Sequence, residues 1–101
     1  MGGQMPMMSM MTGKPASEAS QGYVQAMQTM MQDMMQMSMT DDPTKDFVLM
    51  MIPHHQSAID MANVLLKQQN VDLEIRTIAE KIASGQQAEI DAFQKWLEKN
   101  R

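Results

Sequence analysis

The segment Tyr23 to Gln36 reads YVQAMQTMMQDMMQ, and its period decides the fold. Tyr23, Met27, Met30, Met31 and Met34 recur at i, i+4, i+7, i+8 and i+11, while Gln25, Gln28, Gln32 and Gln36 fall on the opposite side. Residues three or four apart share one face of a helix, so the spacing predicts an amphipathic helix from about Pro15 to Met37. Its buried stripe is expected to be almost wholly methionine, flanked by Met35 and Met37. Methionine at this spacing ordinarily fills gaps in a core. Leucine would do so with less side-chain entropy lost on burial, so the preference for sulfur also points to metal-ligand duty for some of Met27, Met30, Met31, Met34 and Met35.

Working outward, Asp42-Pro43 combines an N-cap with a proline at the first helical position, where its missing amide hydrogen is harmless. A second helix is predicted from there to about Gln69, on the order of 40 Å long at 1.5 Å per residue. Pro53 removes one of its hydrogen bonds and crowds the carbonyl of Leu49, so a kink is expected there; the alternative stops one helix at Met51 and starts another at Pro53. Asn70 suits the left-handed conformation that closes a helix, and Asp72 can cap the next. A third helix is predicted from about Leu73 to Lys99, with Ile75, Ile78, Ala79, Ile82, Ile90, Phe93, Trp96 and Leu97 as its apolar face. Gln86 falls within that face and Glu89 near its edge, either as a polar pair or as residues that orient a histidine.

No sustained alternation or hairpin turn signals a strand. The expected fold is all-α, with short connections making consecutive helices antiparallel neighbours. Three long helices leave one place vacant in a four-helix bundle, to be filled by the N-terminal segment or by a second copy in a homodimer. Residues 1–14, with six methionines among glycine, proline and serine, are expected to be a flexible segment, and residues 15–101 the bundle domain.

The chemistry concentrates in Met50-Met51-Ile52-Pro53-His54-His55, which holds both histidines of the chain. Residues four apart on a helix lie about 6 Å from each other, so Met50 pairs with His54 and Met51 with His55. Consecutive helical residues point about 100° apart, so the two histidines belong to different stripes: His54 with Phe47, Met50, Ser57 and Met61, His55 with Met51, Ile59 and Ala62. Soft sulfur with borderline imidazole nitrogen favours Cu(I), and by the same argument Ag(I).

The composition narrows the alternatives. With no cysteine, neither disulfides nor thiolate metal sites can form. A thiol-free soft-metal site keeps working in an oxidising compartment, which favours an exported location. The start of the chain lacks the basic and apolar regions of an export signal, so such a signal is expected to have been removed. No apolar run reaches the roughly 20 residues needed to span a bilayer. A net charge of −4 disfavours nucleic acid and anionic membranes as partners and suits a collector of cations.

The run Asp46-Phe47, Met51-Ile52-Pro53-His54-His55-Gln56 and Ala58-Ile59-Asp60-Met61-Ala62, followed by Ile82, Gln86-Gln87, Glu89-Ile90 and Trp96-Leu97, resembles the family known as domain of unknown function 305. The resemblance covers about Tyr23 to Leu97. It implies a ferritin-like helical bundle, export to the periplasm or outside, and binding of Cu(I) and Ag(I) by methionine and histidine in bacterial copper resistance, with delivery to or efflux by a partner protein as one use. Met50, Met51, His54, His55 and Met61 occupy the matching positions of the motif. Phe93 departs from it, since the family commonly has methionine there.

Other functions fit less well. A di-iron oxidase needs inward glutamates and Glu-x-x-His motifs, and neither histidine has a glutamate three residues before it. Hydrolytic catalysis lacks a cysteine and a nucleophile elbow, so no enzymatic activity is expected. The serious alternative is a methionine-rich surface that binds hydrophobic peptides, which explains the sulfur but not the paired histidines.

Overall fold

The computed structural model describes residues 17–101; the expected flexible segment, Met1 to Lys14, lies outside the described residues. Three helices follow one another: α1 (Glu18–Met35), α2 (Pro43–Leu66) and α3 (Leu73–Lys99). Each begins where a side chain satisfies its free amides. The Ser17 hydroxyl accepts from the Ser20 amide at 3.0 Å, so α1 starts after the predicted Pro15 boundary. Asp42 accepts from the amides of Thr44 and Lys45 at 3.0 and 3.3 Å, and Asp72 from that of Ile75 at 3.1 Å. These are the N-caps that helix ends require.

The helix ends differ slightly from the sequence reading. α1 stops at Met35 rather than Met37, its last turn tightening as the Met37 amide reaches the Met34 carbonyl at 3.3 Å. α2 is continuous through Pro53, which sets aside the division into two helices. It ends at Leu66, short of Gln69, and the Arg76 guanidinium of α3 donates to the carbonyls of Leu66 and Gln68 left free there, at 3.4 and 3.1 Å. Asn70 then turns the chain with φ at 58°.

α2 is the central helix. It packs against α1 on one flank and α3 on the other, while the described parts of α1 and α3 do not pack on each other. The helices therefore form a flattened, layer-like bundle with α2 in the middle, 46 × 41 × 14 Å in extent. α1 approaches α2 through small residues: Gly22 lies beneath Val64, and the Ser57 hydroxyl donates to the Ala26 carbonyl at 3.5 Å. Residues early in α1 thus meet residues late in α2.

The core is small. Val24, Ala26, Val48, Ile59, Ala62, Ala79 and Ile90 are its buried apolar residues, with Ser57 beside them. Two sequence expectations change as a result. The methionine stripe of α1 is half-buried to exposed rather than buried, because α1 meets its partner among the described helices through the small residues Gly22 and Ala26. On α3, Ile75, Ile78 and Ile82 are exposed, because a flattened bundle has two broad faces and nothing among the described residues covers this one. With Tyr23, Met61 and Leu65 they line an open apolar groove of about 310 Å³.

Candidate metal site

None of the methionines from Met27 to Met61 is buried. Met27, Met30, Met34 and Met51 are half-buried, and Met31, Met35, Met50 and Met61 are exposed. If these side chains were serving as core filler they would occupy the positions that valine, isoleucine and alanine hold instead. The thioethers stand at the surface, where an ion can reach them.

The structure sorts the candidate residues into three groups. Tyr23 of α1 and Met61 of α2 share the apolar groove, so the stripes they belong to lie on one broad face of the layer. By helical period that face also takes Met27, Met30 and Met34 from α1 and Met50 and His54 from α2. Met50 and Met61 are 36% and 41% exposed, and His54 is exposed between them. Met31 and Met35 belong to a different stripe of α1, the one that begins at the buried Val24, and are 43% and 81% exposed. Met51 and His55 form the third group, on the flank of α2 that meets α3.

His55 is held from several sides. Its side chain is 12% exposed, and its Nε2 is hydrogen-bonded to Oε1 of Glu89 on α3. An ionised carboxylate only accepts, so the ring nitrogen donates. Phe93 meets the imidazole edge-on, with centroids 5.5 Å apart and planes at 78°, and Phe47 meets Phe93 in turn at 6.2 Å. Glu89 and Phe93 are four apart on α3, so both side chains reach the same ring. Because Glu89 is 59% exposed, its attraction as a charge is screened by water and contributes little stability. Its effect is to fix the ring.

The other nitrogen, Nδ1, is buried and has no hydrogen-bond partner among the described residues. An unsatisfied buried polar atom costs about 1–3 kcal/mol, so its presence calls for a reason. The His54 and His55 rings are 6.2 Å apart and tilted at 57°, one in solvent and one against α3, as their positions on separate stripes require. Of the two readings open in the sequence for Gln86 and Glu89, Glu89 follows the one in which it orients a histidine, being hydrogen-bonded to His55. The aromatic pair around His55 was not foreseen, although the i, i+4 spacing of Glu89 and Phe93 was a signal for it. Phe93 takes the place at which a third-helix sulfur could have stood.

No group of three or more histidine and carboxylate side chains comes together among the described residues. Glu89 apart, the candidate donors one helical turn from the histidines are the thioethers of Met50 and Met51, and thioethers suit soft monovalent ions and offer little to hard divalent ones. Likewise, no described helix is long and apolar enough to cross a membrane.

Fold and site together define an all-helical protein with an open methionine face and one clamped histidine. The chain belongs to the family described as domain of unknown function (DUF305), whose model matches residues 44–101, all of α2 but its first residue and all of α3. No curated protein matches the chain.

Proposed function

We propose that the protein binds Cu(I) and Ag(I) through methionine thioethers and histidine imidazoles, and sequesters or carries these ions in bacterial copper homeostasis outside the cytoplasm. The observation that carries this reading is that none of the described methionines is buried, with Met31, Met35, Met50 and Met61 exposed, so filling the core does not account for the sulfur at these positions. A thioether is a neutral soft donor that stays available in oxidising surroundings, and an imidazole beside it raises affinity without adding charge. The broad face with Met50, His54 and Met61 is one binding region and the flank with Met51 and His55 another. The protein carries the metal as cargo and performs no catalysis on it.

Addition of Cu(I) without oxygen, followed by native mass spectrometry, tests the reading. More than one ion per chain is expected, and Zn(II) at equal concentration should not displace them; displacement by Zn(II) overturns it. The second reading, a surface for hydrophobic peptides, draws on the apolar groove beside Met61 and Ile78. It requires that a hydrophobic peptide bind the metal-free protein.

A further inference from the structure

We infer that His55 offers a soft ion its Nδ1 and not its Nε2, and that Glu89 is the positioning residue that fixes this choice. The inference rests on the copper and silver reading above and goes beyond it to the donor atom. An imidazole can bind a metal through either nitrogen, and the outer one, Nε2, is sterically the easier of the two. In this protein that nitrogen is hydrogen-bonded to Glu89 Oε1, and a carboxylate beside it holds the proton there. The lone pair of the neutral ring is then left on Nδ1, which is buried and without a partner among the described residues.

Geometry supplies the second donor. Side chains on a helix lean toward its N-terminus, so the His55 ring covers the turn that carries Met51, its neighbour four residues back. Met51 is half-buried on the same flank, and its flexible thioether can move onto an ion. Phe93 packs against the ring at 78° and helps to hold it, and Nδ1 with the Met51 sulfur is the pair that meets the ion. Glu89 remains outside the coordination shell. It does what carboxylates generally do for metal-bound histidines, which is to hold the far N–H and so fix the tautomer and the ring's direction.

Ag(I) is diamagnetic, so the full chain labelled with ¹⁵N reports directly on the atoms. Long-range ¹H–¹⁵N correlation of the two imidazoles, recorded before and after Ag(I), should show the His55 Nδ1 resonance shifted while Nε2 keeps its proton. Glu89→Gln retains an oxygen acceptor and should preserve both the Nδ1 shift and the affinity. Glu89→Ala should weaken the ion at His55 by on the order of 10-fold or move it to Nε2. Circular dichroism of both variants checks that the helices remain, as expected for an exposed position.

A silver-induced change at His55 Nε2 in the unaltered protein overturns the inference while leaving the soft-metal reading standing. So does silver binding that changes neither nitrogen of His55. Absence of any Ag(I) binding removes the proposed function and this inference with it.

Discussion

Gly22 and Val64 meet so closely that a β-carbon on Gly22 would lie 2.8 Å from Val64 Cγ2 and 3.0 Å from Cγ1. This contact sets how near α1 can come to α2. Val64 is β-branched and stiff at χ1, so it has no flexible end to move aside. Gly22→Ala should therefore destabilise the protein. Overpacking costs about 1–3 kcal/mol, and the better helix propensity of alanine returns up to ~1 kcal/mol of it. Gly85 is the counterpart, since a β-carbon there meets nothing within 4 Å. Gly85→Ala should stabilise by about 0.8–1 kcal/mol. Urea unfolding of the two variants should give midpoints displaced in opposite directions; equal displacement would mean that the helices are not in contact at Gly22.

Replacing Met50 and Met61 by leucine separates sulfur chemistry from hydrophobic surface. The swap nearly conserves volume, and at exposed positions its effect on stability should stay within about 0.5 kcal/mol. Met50 and Met61 lie about 16 Å apart along α2, too far to share one ion, so Ag(I) affinity should fall by about tenfold, equivalent to about 1.4 kcal/mol, at each ion that either sulfur holds. Competition titration measures it. Unchanged silver affinity together with retained peptide binding would favour the peptide-surface reading.

His54→Ala and His55→Ala should have separable effects. His54 stands in solvent, so its loss should weaken one ion and alter stability by no more than about 0.5 kcal/mol. Loss of His55 also removes the edge-on contact with Phe93, worth about 0.5–1.5 kcal/mol for an aromatic pair, offset in part because the unpartnered Nδ1 goes with it. The binding losses should add in the double variant to within about 0.5 kcal/mol. A larger departure from additivity means that both histidines serve one ion.

Asp42→Ala removes the acceptor for the amides of Thr44 and Lys45. A lost N-cap costs about 0.5–2 kcal/mol, and thermal unfolding should register it, whereas Asp42→Asn should retain most of the stability. The site lies well along the helix from this end, so the number of ions bound should not change. A lower ion count in Asp42→Ala would tie metal binding to the order of the first turn of α2.

Much of the helical framework was legible because it depends on local groups. The run Asp42-Pro43 announced the start of α2, and Asp72 and Asn70 marked the turn into α3, because capping and left-handed closure involve residues adjacent in the chain. The exact ends were less legible: the Ser17 cap and the tightened turn at Met37 shorten α1 at both ends, and the carbonyls of Leu66 and Gln68 at the end of α2 are met by Arg76 of the next helix, a contact that no local pattern announces.

For the site, the sequence by itself determined the candidate donors: the sulfurs and imidazoles, their four-residue spacing and the assignment of His54 and His55 to different stripes. These follow from helical period and chemical softness, which require only the order of residues. Tertiary structure alone decided which side chains are covered. A periodic stripe of methionine reads as a buried face, but burial depends on whether a partner helix lies over it, and in this layer α1 meets α2 through Gly22 and Ala26. The same holds for His55. Its spacing from Met51 was written in the sequence, yet its Nε2 became occupied and its Nδ1 was left free only when α3 brought Glu89 and Phe93 against it, because a ring's tautomer and direction are set by the groups it touches.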